Sequence, residues 1–231
     1  MSATVIGIAG HIGAGKDTLA AFIQGAVVGP CRILTFADPI RDVTDAVGLR
    51  IFDRAKKEVM VTRRYAFFAE TLIEAINNSI LGELMSRDER ADLFAYMMEA
   101  LQDGGYLVHG RQDRLTITPR RFAELLGTEA GRRLEKELWV RLLRERAKQF
   151  DGVVIVPDVR FMNEREAVDL MIGIRRKDEL VSEHASAKDI TGLVEGAHLV
   201  VENNSTTAEL ERTGQFIALH YEDEVLRGDR L

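Results

Sequence analysis

The chain of 231 residues predicts an α/β fold, a parallel sheet flanked by helices. Three observations carry that expectation. Short β-branched runs alternate with stretches of helical periodicity. The run Val153 to Val156 (VVIV), bounded by Gly152 and Pro157, is apolar at every position, as in a strand buried on both faces. A glycine-rich loop, Gly10 to Lys16, joins the first such run to a helical stretch.

Taken in order, Thr4 to Ala9 (TVIGIA) reads as a buried strand, and Asp17 to Gln24 as a helix. Gly29-Pro30 breaks the chain before a second strand, Cys31 to Phe36. Asp38 is placed to cap a helix with Pro39 in its first turn. Tyr65 to Met85 and Asp88 to Leu101 carry apolar residues at helical spacing, and Gly104-Gly105 ends the run. Tyr106 to Thr118 has the look of a hairpin. Thr118-Pro119 then starts a helix running to about Leu126, and another follows from Leu134 to Phe150. After VVIV come a helix over Asn163 to Leu170, a strand over Met171 to Ile174 and a strand over Leu199 to Val201. Ser205 or Thr206 caps a last helix, with Leu210, Gly214, Ile217, Tyr221 and Val225 on its apolar face. The helical interval between the second and third strands exceeds a simple crossover, so it is expected to form a cap over the active site.

Apolar residues make up 46% of the chain and charged residues 29%, which suits a water-exposed surface around a sizeable core. The net charge of -6, from 31 basic and 37 acidic side chains, argues against tracking polymeric nucleic acid. The lone Cys31 forms no intrachain disulfide, and no apolar run reaches membrane-spanning length. A cytoplasmic protein without membrane partners is the expectation, with a two-fold homodimer as the default assembly.

The chemistry gathers at Gly10-His-Ile-Gly13-Ala14-Gly15-Lys16, the G-x-x-x-x-G-K phosphate-binding pattern in its required strand–loop–helix setting. Glycines let backbone amides turn inward around phosphates, and the helix N-terminus adds partial positive charge. Lys16 would reach the outer phosphates of a nucleotide and offset charge developing in transfer. The residue after it is Asp17 rather than Ser or Thr, followed by Thr18. Asp17 is therefore expected near a magnesium ion, through water, and Thr18 near an inner phosphate. His11 lies inside the loop and receives no catalytic role.

Asp158 and Arg160 lie just past the VVIV strand, where ligands of open α/β sheets bind. Asp158 would orient the magnesium shell or an acceptor group, and Arg160 would clamp a phosphate; an ion pair at a turn is the alternative reading. Arginine suits phosphoryl transfer because its planar fork takes two oxygens at once. Arg41, Arg120, Arg121, Arg132, Arg175 and Arg176 are further candidates, Arg176 favoured with Arg160 because each ends a strand. Lys56-Lys57 and Arg63-Arg64 read as a solvated helix face.

Assembled, the chain resembles the phage-type deoxynucleoside monophosphate kinases. The segments that carry the resemblance are GAGKDT at 13–18, FADPIRD at 36–42, TPRRFAELLGTEAGRR at 118–133, Trp139-Val140, IVPDVRF at 155–161, His184-Ala-Ser, and VVENNSTTAEL at 200–210. The resemblance implies a P-loop kinase-like parallel sheet, a helical acceptor-binding cap over 43–150, a lid over 175–190, and one kinase domain over the whole chain. It implies ATP and magnesium as cosubstrates and a deoxynucleoside monophosphate as acceptor. By position, Asp38, Arg41, Arg121, Arg132 and Trp139 fall near the acceptor; Lys16, Asp158, Arg160 and Arg176 fall near the transferred phosphoryl; Asn203 falls with the ATP contacts. Trp139 equally suits a core position, with Leu138, Leu142 and Leu143 around it. Three features depart from the family pattern: His184-Ala-Ser-Ala187 lacks an acidic residue, Asn203-Asn-Ser-Thr206 lacks a glycine, and the stretch from Arg160 to Arg176 is a few residues short. Dephospho-coenzyme A kinase, and an ATP-binding module acting on a partner, are the alternative functions.

Overall fold

The computed structural model describes residues 3–51, 55–108, 113–177 and 186–228. The chain forms two compact units, Met1–Phe36 with Val140–Leu231, and Ala37–Trp139. The second overlaps the interval 43–150 read as a cap.

The first unit is built on a five-stranded parallel sheet: β1 Thr4–Ala9, β2 Cys31–Ile33, β6 Val153–Val156, β7 Leu170–Arg175 and β8 Leu199–Glu202. Their order is β2-β6-β1-β7-β8. The α/β reading holds because the three inner strands are apolar on both faces, which only a doubly covered parallel sheet requires. Side-chain alternation divides the core. Ile6, Ile8, Val153, Ile155, Leu170, Ile172 and Ile174 face Leu19, Ile23, Leu210 and Ile217 of helices α1 (Lys16–Ala26) and α11 (Thr207–Gly228). On the opposite face Gly173 meets α10 (Ser186–Glu195); a Cβ there would lie 2.9 Å from the Val194 carbonyl oxygen.

The expected second strand stops at Ile33, although Leu34 N still donates to Ile155 O at 3.0 Å. The helix expected over Asn163 to Leu170 is a single turn, α9 Met162–Arg165. Beyond it the chain turns so that Val168 packs on Gly7, whose absent Cβ would lie 2.8 Å from Val168 Cγ1. Leu170 therefore opens β7 instead of closing a helix. Thr206 supplies the expected cap of α11, its Oγ1 accepting from Glu209 N at 3.3 Å. No described helix is long and apolar enough to cross a membrane.

The second unit packs α2 (Asp38–Ala46), α3 (Tyr65–Asn78), α4 (Ile80–Leu84) and α5 (Arg87–Asp103) with a small antiparallel sheet. Its strands are β3 Val61–Arg64, β4 Leu107–Val108 and β5 Arg114–Ile117, ordered β3-β5-β4. The hairpin over Tyr106 to Thr118 is thus present as β4 and β5. Arg63 and Arg64, read as part of a helix face, lie instead on β3, with Thr62 Oγ1 3.2 Å from Thr116 Oγ1 across the strands. The helical stretch Tyr65 to Met85 breaks at Ser79, whose Oγ accepts from Leu81 N. Phe68 and Phe122 meet edge to face at 5.6 Å in this unit's core.

Thr118 caps α6 (Pro119–Glu124) through Arg121 N at 3.2 Å, with Pro119 at its start. The helix does not end at Leu126. It widens into a π-helical turn, Leu125–Ala130, and closes with α7, Gly131–Leu134. The next helix, α8, begins at Leu138 and ends at Lys148.

Candidate functional site

The phosphate-binding loop springs from the end of β1. A Cβ on Gly10 would lie 2.3 Å from the Ile174 carbonyl oxygen, so only glycine fits beside β7. Gly13 and Gly15 have φ of 83° and 103°, left-handed values that favour glycine. They turn the chain sharply, and Ala14 N closes the turn on His11 O at 3.2 Å. Helix α1 then starts at Lys16 without a side-chain cap. The first intrahelical acceptor is Gly15 O, reached by Leu19 N at 2.9 Å. The amides of Lys16, Asp17 and Thr18 thus have no acceptor within the helix, and its positive end faces out of the loop. Lys16 Nζ donates to Gly10 O at 2.7 Å and His11 O at 2.8 Å, which lays its ammonium along the loop. Asp17 and Thr18 are exposed on the first turn.

The other candidates of this unit hang from neighbouring strands. Parallel register sets the ends of β6, β1, β7 and β8 along one edge of the sheet, with Gly7 opposite Val156, Ala9 opposite Gly173 and Arg175 opposite Glu202. Asp158 follows β6, Gly10 follows β1, Arg176 follows β7 and Asn203 follows β8. Ligands of open α/β sheets bind at this carboxyl edge.

Asp158 is half-buried and its Oδ1 accepts from Phe36 N at 3.1 Å, tying the turn after β6 to the segment after β2. Arg160 is exposed. Its backbone is held by Glu164, whose Oε2 accepts from Arg160 N at 2.7 Å and Phe161 N at 3.2 Å. Glu164 is only 5% exposed. Sequence reasoning missed it; the available signal was an acid at the third position of the short helix that follows Phe161, where such a group satisfies orphan amides.

Asn203 touches the loop itself. Its Nδ2 donates to Ala14 O at 2.8 Å, and its backbone N donates to Arg175 O at 2.9 Å. Arg175 Nε also donates to Glu202 Oε1 at 2.5 Å, and that hydrogen bond holds the Glu202 carboxyl below its ordinary range. Arg176 is exposed beside this pair. His11, buried within the loop, lies 3.3 Å from Thr191 Oγ1 of α10. Of the expected lid, residues 178–185, His184 among them, lie outside the described residues, and Ser186 opens α10.

The acceptor-side candidates belong to the second unit. Asp38 does not cap α2: Ala37 occupies the cap position, and Asp38 is the first helical residue, its carboxylate 3.2 Å from Arg41. Arg121 is held on three sides. Its Nε donates to Tyr106 Oη at 3.0 Å, and its terminal nitrogens pair with Glu129 at 2.8 Å and Glu124 at 3.4 Å. Burial works against its charge, but the bonds to Tyr106 and Glu129 outweigh that and raise its pKa. Arg120 pairs with Glu58 and Glu124, at 2.9 and 3.2 Å. Arg132 is half-buried on α7. Trp139 is 6% exposed; its Nε1 donates to Gly127 O at 2.7 Å, so it takes the core position and anchors the π turn.

The glycines of that turn have physical reasons. A Cβ on Gly127 would lie 2.9 Å from Ile40 Cδ1 of α2, and one on Gly131 would lie 2.4 Å from Trp139 Cζ2. Thus α2, carrying Asp38 and Arg41, packs directly on the turn between α6 and α7, which carry Arg121 and Arg132.

No family model matches the chain. It is similar to the deoxynucleoside-5'-monophosphate kinase of Escherichia phage T5, 28% identical over 183 residues, which covers 70% of each chain. The similarity agrees with the resemblance carried by the motifs, and the five-stranded parallel sheet flanked by helices is that of a P-loop kinase-like fold.

Proposed function

We propose that this protein is a nucleoside monophosphate kinase that moves the γ-phosphoryl of ATP to a deoxynucleoside monophosphate. One observation carries the reading: an uncapped helix N-terminus, two left-handed glycines and the Lys16 ammonium converge on one loop. Such a loop is a nest for anionic oxygens. The choice of a deoxynucleoside monophosphate as acceptor is supported by the segments at 118–133 and 155–161 and by the relative in phage T5.

The residues present fit a triphosphate: Gly10 and Gly15 pack too closely on Ile174 and Asn203 to carry side chains, so the loop presents backbone amides and the Lys16 ammonium. The carboxylates of Asp17 and Asp158 are hard oxygen donors that would hold magnesium through water. When bound, magnesium neutralises charge on the phosphates. An oxygen of the acceptor phosphate attacks the γ-phosphorus, and the bond to the ADP oxygen breaks in line with it. Lys16 and the amides of the first α1 turn stabilise charge on the transferring group, and Arg160 and Arg176 add planar donors. Asp38, Arg41 and Arg132 hold the acceptor; Arg121, already engaged by Tyr106, Glu124 and Glu129, would join them by exchanging a carboxylate for phosphate.

The test is an acceptor panel. Purified protein with ATP and magnesium should form ADP when a deoxynucleoside monophosphate is added. Turnover with dephospho-coenzyme A alone would move the assignment to that kinase. ATP consumption independent of any acceptor would favour a module that drives a partner.

A further inference from the structure

We propose that Asn203 is a positioning residue that sets the shape of the phosphate loop, and that it does so without touching the nucleotide base. The inference rests on the nucleotide-kinase reading and deepens it, since Asn203 was expected among the direct ATP contacts.

The geometry begins with the Ala14 carbonyl. Ala14 sits between the two left-handed glycines, and its side chain is fully buried. Its carbonyl accepts from Asn203 Nδ2 at 2.8 Å, a bond spanning 189 residues. A peptide plane fixed by its oxygen also fixes the amide at its other end, and that amide belongs to Gly15. Asn203 therefore orients a group of the loop itself. Asn203 Nδ2 lies so close that a Cβ on Gly15 would be 2.5 Å from it.

Asn203 is in turn held on both sides. Its backbone N donates to Arg175 O at 2.9 Å. Glu202 before it is bound to Arg175, and Asn204 after it accepts from Lys177 N at 2.8 Å and donates to Glu202 Oε2 at 3.3 Å. The tripeptide 202–204 thus clasps the loop on one side and the exit of β7 on the other. With one N–H of its side-chain amide committed to Ala14 and its backbone N–H to Arg175, Asn203 serves the loop that surrounds phosphate.

Binding of inorganic tripolyphosphate separates this role from a base contact, because tripolyphosphate has no base. Calorimetry would compare tripolyphosphate and ATP on wild type, Asn203→Ala and Asn203→Asp. The aspartate variant keeps the side-chain shape but places an acceptor against the Ala14 carbonyl, so it remains informative if the alanine variant folds poorly. Loss of the bond should weaken both ligands by the same factor, roughly tenfold for alanine and more for aspartate. Tm should stay near that of wild type. Weaker ATP binding with tripolyphosphate unchanged would assign Asn203 to the base and overturn the proposal. Unchanged affinity for both ligands would overturn it as well. A wild-type protein that binds neither ligand would remove the nucleotide reading itself, an outcome distinct from the other two.

Discussion

The Lys16 ammonium rests on two loop carbonyls, those of Gly10 and His11, at 2.7 and 2.8 Å. Bound phosphate would compete for the same protons, so the lysine needs only a small swing to change partners. Lys16→Ala should lower kcat/KM by two to three orders of magnitude, about 3–4 kcal/mol of transition-state stabilisation. Circular dichroism and Tm should stay close to wild type, because Lys16 lies outside the hydrophobic core of its unit. Near-normal turnover would take Lys16 out of the mechanism. Cys31 offers a second check at this scale. Burial pushes its thiol above the ordinary range, more than the backbone hydrogen bond at Arg32 lowers it. Its alkylation by iodoacetamide near neutral pH should therefore be slower than that of an unfolded-state thiol, as mass spectrometry of native and denatured protein would reveal. The Arg175–Glu202 pair carries a sign of its own. A carboxyl depressed on folding stabilises above its unfolded pKa, and that contribution fades as pH falls through the lower folded value. A Tm difference between Glu202→Gln and wild type should thus be present at neutral pH, begin to shrink as pH falls below the ordinary glutamate value of about 4.3, and vanish only below the depressed folded value. Because the carboxylate is fully exposed, added salt should shrink it at every pH.

Among the elements, the π turn explains most about why the LLGTEAGRR segment has its composition. Its widened ring is held by Trp139, and Gly131 makes room for the indole. Gly131→Ala should destabilise by about 1–3 kcal/mol, since the new Cβ would meet both the Trp139 ring and the Leu126 carbonyl oxygen, at 2.4 and 2.9 Å. Gly127→Ala should cost less, because there the neighbour is only the movable tip of Ile40. Urea melts of the two variants would rank them, and the reverse order would refute this account of the turn. The segment was legible as a helix by its cap and proline, but not as a π turn, which has the composition of an α-helix and differs only in where its carbonyls find partners. Strand β3 was illegible for another reason. Val61-Thr-Arg-Arg64 is short and polar on both sides, so no alternation marks it, and Arg64 stands directly opposite Arg114. The capping box of α5, Ser86 with Glu89, was present as Ser-x-x-Glu and marks the helix start at Arg87, one residue before Asp88.

For the whole molecule, the parallel sheet was readable because burial on both faces leaves an unbroken apolar run, as at Val153 to Val156. The loop was readable because phosphate binding demands glycines at fixed intervals before a helix. The braces around it were not, since Asn203 and Thr191 reach Ala14 and His11 through the fold rather than through neighbours in sequence. Each unit has buried apolar side chains of its own: Ile6, Ile155, Ile172 and Ile217 in the first, Phe68, Leu93, Met97 and Phe122 in the second. A cavity in the second unit should loosen that unit first. Phe122→Ala removes a fully buried ring and its edge-to-face contact with Phe68, a loss of about 3–5 kcal/mol. Native-state hydrogen exchange should then quicken in α3, α5 and β5, while amides of β1, β6 and β7 keep most of their protection. Equal loss of protection in the five-stranded sheet would mean that the two units unfold as one, and that the division into two units has no thermodynamic counterpart.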